Sequence, residues 1–183
     1  MTKKIGQSTY LKECLRDGYF SLLAQKPADS ISVSEIVKLA GVSRMSFYRY
    51  YQSKEELVQQ YLTDSFIDFM ETVKKDQVKD SEGAAIIFFS YFRSNKIRIK
   101  ILIEQGLFYL FFDLFSNFLQ DSNLAIDSNP DISDDNLKYY YEYASAGILN
   151  LAKIWVLGEM KETDQEMAQV LRAIKQAQGE RYS

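Results

Sequence analysis

Histidine is absent from this 183-residue chain, and cysteine occurs once, at Cys14. Without an imidazole there is no histidine general acid or base and no histidine-containing metal site, and a lone cysteine excludes an intramolecular disulfide. Also missing are a glycine-rich phosphate loop, a CxxC pair and paired acids in an apolar setting. An enzyme is therefore not expected, nor any cofactor or metal. The greasiest run, from Gly106 to Leu119, contains Asp113 and falls short of the roughly 20 residues a membrane helix needs. The opening MTKKIGQSTY leads into a charged helix and not into a signal-peptide apolar core. The expectation is a soluble, cytoplasmic protein with no membrane partner.

Prolines number two and glycines eight, so few positions force the chain out of a helix. With 46% apolar residues and 14% aromatics there is material for a sizeable core. An all-α protein follows, of about nine helices. Cys14 lies on an amphipathic helix and reads as a small buried apolar residue.

The chain is organised around Ser32 to Lys54, SVSEIVKLAGVSRMSFYRYYQSK. Ser32 with Glu35 has the capping-box spacing, and Ile36, Val37, Leu39 and Ala40 give the first short helix its apolar side. Gly41 breaks that helix, since glycine tolerates the left-handed conformation of a helix end. Ser43 caps a second helix carrying Arg44 to Tyr51. Two short helices around a glycine-containing turn form the helix-turn-helix unit, whose second helix enters the DNA major groove.

The run AGVSRMSFYRYYQSKEEL, Ala40 to Leu57, resembles the DNA-binding signature of the TetR family of bacterial transcriptional regulators. The resemblance implies an N-terminal DNA-binding head over residues 1–53, with its motif at 32–51, and a helical regulatory and dimerisation body over 54–183. Charge is divided accordingly. Residues 1–54 hold nine Lys/Arg and four acids, a net +5, which leaves −8 for residues 55–183 and −3 overall. A basic head on an acidic body suits a nucleic-acid binder.

Arg44 opens the second motif helix and can reach base edges, arginine to guanine being the commonest specific contact. Ser43, Met45 and Ser46 are short or flexible enough for the helix to approach the groove. Met45 stands where many family members carry glycine, and can touch a thymine methyl. Tyr48 and Tyr50 can each donate a phenolic hydrogen bond to phosphate, and the resemblance points most firmly at Tyr48. Lys54, near a helix N-terminus, can pair with phosphate. Ser32 and Ser34 match family positions that approach the DNA backbone. Arg49 reads equally as a phosphate contact or a solvated charge. Phe47 and Tyr51 supply the inward face.

Around the motif, the spacing predicts a bracing helix over residues 7–26 and a fourth helix from Lys54 to about Lys75, capped by Ser53. Gly18 inside the first helix predicts close packing. Residues 83–93 and 97–105 read as helices, the second despite its strand-like alternation of Ile97, Ile99, Ile101 and Ile103. A seventh helix is expected over 107–120 and a polar loop over 121–135. The loop acids Asp127, Asp131, Asp134 and Asp135 lack the Ca²⁺-loop spacing. The last two helices run from Asn136 to Leu157, ended by Gly158 in the left-handed conformation, and from the capping box of Thr163 and Glu166 to about Ala177.

A single helix-turn-helix reads too few bases, so a homodimer on a palindromic operator is expected. The apolar faces of the last two helices, Gly147, Leu151, Ile154 and Trp155 with Met167, Val170, Leu171 and Ile174, are the expected dimer contact. They would form a four-helix bundle, which also resembles the usual family interface. The resemblance further implies a pocket for a small apolar or aromatic effector, with Phe88, Phe92, Phe108, Phe112, Tyr140 and Tyr143 as its candidates. The leading expectation is a repressor released from double-stranded operator DNA by that effector. The alternative is a co-activator or adaptor of the same fold acting through protein–protein contacts.

Overall fold

The computed structural model describes residues 2–75, 80–122 and 132–180. Among them there are nine α-helices and no strand: α1 (Thr2–Leu23), α2 (Val33–Ala40), α3 (Arg44–Tyr50), α4 (Lys54–Lys75), α5 (Ser81–Ser94), α6 (Lys96–Glu104), α7 (Phe112–Ser122), α8 (Leu137–Leu157) and α9 (Asp164–Glu180). Three short 3-10 turns sit at Ala28–Ser30, Phe108–Phe111 and Asp134–Asn136. The chain forms two compact units. One holds residues 1–64 and 101–110, and the other holds 65–100 and 111–183.

In the first unit, α1 braces α2 and α3. Gly18 has its explanation here: a Cβ at that position would lie 3.3 Å from the Ile36 carbonyl and 3.4 Å from Ala40 Cβ, so α1 and α2 touch through bare backbone. Leu15, Tyr19, Phe20, Leu23, Ile31, Ile36, Phe47, Tyr51, Leu57, Val58, Tyr61 and Leu62 fill the core. The segment after α6 closes this unit from another direction. Gln105 Nε2 donates to the Leu23 carbonyl at 2.8 Å, while its Oε1 accepts from the Ala28 amide at 2.9 Å. One side-chain amide thus satisfies the end of α1 and the start of the turn after it.

The second unit is built on aromatic rings. Phe66 is fully buried, with Phe69, Phe111, Phe115 and Phe118 within 6.1 Å of it, centroid to centroid. Helices α5 and α9 pack together, as do α7 and α8. Arg93 ties the turn before α9 to α5: it pairs with Asp164 at 2.7 Å, donates to the Glu162 carbonyl at 2.7 Å and lies 4.9 Å over the Trp155 ring.

Several boundaries differ from expectation for visible reasons. The 97–105 stretch is helical (α6), and Gly106, at φ +70°, ends it in a Schellman pair: Leu107 N–H to Leu102 C=O at 2.8 Å and Gly106 N–H to Ile103 C=O at 3.2 Å. That stop delays the next helix. Residues 108–111 form a 3-10 turn, and α7 starts only at Phe112. At the end of α8, Gly158 is not left-handed, its φ being −78°. The left-handed residues are Glu159 (φ 65°) and Met160 (φ 54°). The Schellman bonds run from Glu159 and Met160 to Val156 and Trp155. A non-glycine residue there is strained by about 1–2 kcal/mol, and Glu159 is held in place by Lys96, at 2.8 Å, and Lys100. Most of the polar loop, with Asp127 and Asp131, lies outside the described residues.

Those two lysines, Lys100 first, hold the Glu159 carboxyl at about 2, below its ordinary 4.5. A lowered value in the folded state adds stability above pH 4.5 and loses it as the pH falls towards 2. Acid titration of the melting temperature checks this. Between those limits the unmodified protein is expected to lose more than Glu159→Gln does, and equal slopes would refute it.

Candidate nucleic-acid interface

Helix α3 has seven residues, too few to be stable alone. It is capped at its start by Ser43, whose hydroxyl accepts from the Ser46 amide at 3.0 Å, and pinned from below by Phe47, fully buried. The Phe47 ring meets Tyr48 and Tyr51 at 5.4 and 5.8 Å. With Phe47 and Tyr51 inward, the helix period leaves Arg44, Met45, Tyr48 and Arg49 outward. All four are exposed, Met45 by 74% and Tyr48 by 53%. Two guanidinium groups, a phenol and a flexible thioether therefore share one free face. That set suits a groove wall of base edges flanked by phosphates.

The turn before α3 is equally defined. Gly41 is left-handed at φ 67°, and the amides of Gly41 and Val42 return to Lys38 and Val37. The capping box of α2 is complete. The Glu35 amide donates to Ser32 Oγ at 3.3 Å, and the Ser32 amide donates to Glu35 Oε2 at 2.9 Å. Lys26, first, with Ser32 holds the Glu35 carboxyl at about 2. Ser32 and Ser34 are exposed, but the Ser32 hydroxyl already donates to Glu35 at 2.9 Å. The hydroxyls of Ser43 and Ser46 lie 2.9 Å apart, bonded to each other.

Two of the sequence-derived positions are more engaged than their spacing indicates. Tyr50 is half-buried, and the Lys12 ammonium lies 5.8 Å from its ring centroid. Lys12, on α1, is a cation beside the motif that a reading confined to the motif passes over. Lys54 is half-buried, its ammonium donating to the carbonyls of Ala28 at 2.8 Å and Ile31 at 2.7 Å. Its charge thus holds the turn before α2 to the start of α4, which Ser53 caps by accepting from the Glu56 amide at 3.1 Å.

Arg16 of α1 lies beneath this surface with its side chain 14% exposed and pairs with Asp64 of α4. Burial, above all, pushes the Tyr51 phenol up from its ordinary value, against the pull of the Arg16 guanidinium beside it.

In the second unit, the residues expected at a dimer contact divide. Ile154, Val170 and Ile174 are exposed by 60%, 40% and 42%. Gly147 is exposed, with open space where a Cβ would stand. Leu151 and Leu171 are half-buried, while Trp155 and Met167 are buried. Trp155 packs edge-on against Phe89 at 5.3 Å and donates its indole N–H to the Glu162 carbonyl at 3.2 Å. Leu157, 46% exposed, extends the outer stripe. A groove of about 370 Å³ runs along α8 and α9, lined by Leu151, Ile154 and Val170 and floored by Trp155 and Met167.

Of the six residues expected around an effector, Phe88 and Phe92 are neighbours. Phe88 lines an apolar cavity of about 40 Å³ with Phe69, Phe115, Phe118 and Leu171. Phe92 is core beside it, 4.6 Å from Phe88. Phe108 is buried in the first unit, Phe112 and Tyr140 are half-buried, and Tyr143 is 65% exposed. No group of three or more His, Cys, Asp or Glu able to hold a metal occurs among the described residues, and no described helix is long and apolar enough to cross a membrane.

Comparison with known proteins agrees with this geometry. Residues 17–61 match the family model described as "Bacterial regulatory proteins, tetR family", and residues 79–176 match "Transcriptional regulator C-terminal region". No curated protein matches the chain. Among solved structures, Lin0861 from Listeria innocua is similar with a TM-score of 0.72 at 17% identity, over 96% of this chain and 92% of that one. A TetR transcriptional regulator from Streptococcus agalactiae 2603V gives 0.68 at 21% identity, over 94% and 97%. The dihydroxyacetone kinase operon activator DhaS gives 0.58 at 19%, over 92% and 95%. At such identities the likeness is one of fold. The free face of α3 on its glycine turn, with both family models in register along the chain, means that this all-α protein belongs to the TetR family of bacterial DNA-binding transcriptional regulators.

Proposed function

We propose that the protein is a homodimeric repressor which reads a palindromic operator through α3 and leaves it when a small apolar or aromatic effector enters the body. The outward set of Arg44, Met45, Tyr48 and Arg49 carries the reading. Residues 1–53 act as the DNA-binding head and 54–183 as the regulatory and dimerisation body. The exposed stripe of Gly147, Ile154, Leu157, Val170 and Ile174 is the dimer contact, supported by its apolar chemistry and its groove. Ser32, Ser34, Ser43, Ser46, Tyr50 and Lys54 frame the head's DNA surface. Lys54 meets phosphate through the α4 N-terminus, since its ammonium is already committed to two carbonyls. The site of action is the cytoplasm, where bacterial operators lie.

An effector of ordinary size needs a pocket of about 300 Å³ or more, so the 40 Å³ cavity must open around Phe88, Phe115 and Phe118 to admit one. Release then requires that the ligand favour the open, non-binding conformation. The smallness of this cavity favours a second reading, a co-activator or adaptor of the same fold working through protein–protein contacts. One protein of similar fold, DhaS, is an operon activator. Co-purification with a partner protein and failure to retain DNA would select that reading.

Binding to duplex DNA is expected to weaken steeply as salt rises, because phosphate contacts release counterions. A flat salt dependence would oppose the proposal. Arg44→Ala should weaken binding about 5- to 150-fold, at about 1–3 kcal/mol for one base-reading arginine. Fluorescence anisotropy on a selected duplex measures it, and a change below about twofold would remove Arg44 from the interface.

A further inference from the structure

The cations of the DNA-binding unit divide by what they touch. Arg16 pairs with Asp64, Lys26 pairs with Glu35, and Lys54 gives its ammonium to two carbonyls. Arg44 and Arg49 stand on the free face of α3, and Lys38 is exposed near the end of α2. Lys12 belongs to neither group. It is half-buried, yet its one polar or ring contact among the described residues is with an aromatic face. Its ammonium lies 5.8 Å from the centroid of the Tyr50 ring.

Helix α1 supplies no anion to this cation. The positions three and four residues away, which share its face, are Ser8, Thr9, Leu15 and Arg16, and Glu13 lies on another face. A charge drawn partly out of water without a counter-charge is unfavourable, so the place of Lys12 calls for an explanation. Tyr50 gives one. It ends α3, one residue after Arg49 and two after Tyr48, and its ring meets that of buried Tyr51 at 6.4 Å. The platform under the ammonium is therefore firm, and it stands at the end of the helix that presents the DNA-reading face. Lysine binds phosphate as a point charge and needs no fixed fork of donors. Lys12 also precedes residues 17–61, the stretch matched by the family model, so the motif does not assign it.

We propose that Lys12 is a DNA-backbone contact outside the helix-turn-helix: its ammonium, held at the end of α3 on the Tyr50 ring, neutralises a phosphate flanking the bases that α3 reads. Helix α1 then grips the operator as well as bracing α2 and α3. This rests on the DNA-reading role of α3. The blander role, a cation steadying the negative C-terminal end of α3, affects stability and leaves no signature in salt.

Salt dependence separates the two. Lys12→Met keeps the stem beside Tyr50 and removes the charge. It should make the fall of log K with log salt shallower by about 0.9 for each copy bound. Over the tenfold range from 1 M to 0.1 M salt, that slope corresponds to about eightfold in affinity per copy. The loss should be the same on the best duplex from a random pool and on an unrelated duplex, since a phosphate carries no sequence. Lys12→Arg should keep both slope and affinity. Tyr50→Leu removes the platform, so Lys12→Met should cost less in that background than alone. An unchanged slope in Lys12→Met, a loss confined to the selected duplex, an equal loss in Lys12→Arg, or strict additivity with Tyr50→Leu would overturn the proposal. A lowered melting temperature with the slope unchanged would mark the blander role and overturn it too. If the unmodified protein retains no duplex at any salt, the DNA-reading proposal fails and takes this one with it. Retention by the unmodified protein with an unaltered slope in Lys12→Met defeats this one alone.

Discussion

Phe47→Ala is expected to abolish DNA binding while leaving the aromatic unit folded. Deleting a fully buried phenylalanine costs about 3–5 kcal/mol, and Phe47 is the one residue that α3 buries. Seven residues cannot hold a helix in water without such an anchor. The ring also supports Tyr48 edge-on, so its loss frees one of the outward groups directly. The effect is expected to be local because Phe47 packs within the first unit. Trp155, the only tryptophan, sits in the second unit against Phe89 and Arg93 and reports on that unit alone. Its fluorescence should remain near that of the unmodified protein while duplex retention disappears. Phe47→Leu, nearer in volume, leaves a smaller cavity, so it should cost less than Phe47→Ala and keep measurable binding. Retained affinity in Phe47→Ala would mean that α3 is not held from beneath as described.

Ile154→Glu combined with Val170→Glu is expected to convert a dimer into monomers and to lower operator affinity by roughly two orders of magnitude, the gain that two linked half-sites supply. Both side chains are exposed in the isolated chain, so a charge there costs the fold little. In a bundle with a second copy the same charges would be buried without partners, which is prohibitive. Trp155→Glu would not make this test, since Trp155 is core and the variant would fail for the wrong reason. Light scattering on the eluting protein reads the mass. A persistent dimer would move the interface off α8 and α9.

These contrasts also mark what is legible in the chain without its structure. The motif is, because its signals are local: Ser32 with Glu35, Gly41 and Ser43 each act within four residues, and each does so in the structure. The capping box of Thr163 and Glu166 is present for the same reason, with the Thr163 amide donating to Glu166 at 2.7 Å. Gly158 illustrates the limit. Glycine suits a left-handed stop, but two lysines on α6 hold Glu159 there instead, and that is long-range information.

The same limit explains the mixed faces of α8 and α9. A helix that packs inward on one side and is free on another shows a single wide apolar stripe in sequence. Periodicity alone does not divide Trp155, facing in, from Ile154, facing out. The aromatic residues expected around an effector fall in both units for a related reason. Phe108 packs in the first unit, whereas Phe88 lines the cavity in the second, and aromatic content carries no address. Position alone assigns Lys54 to phosphate, whereas two carbonyls from the turn before α2 claim its ammonium.

The central claim is that two copies of α3 read DNA together. Selection of bound duplexes from a random pool tests it most directly. The expected result is enrichment of a palindrome with half-sites about one helical turn, 34–36 Å, apart or a multiple of it, and its loss with Arg44→Ala. Recovery of no sequence, or of a single half-site without symmetry, would contradict it.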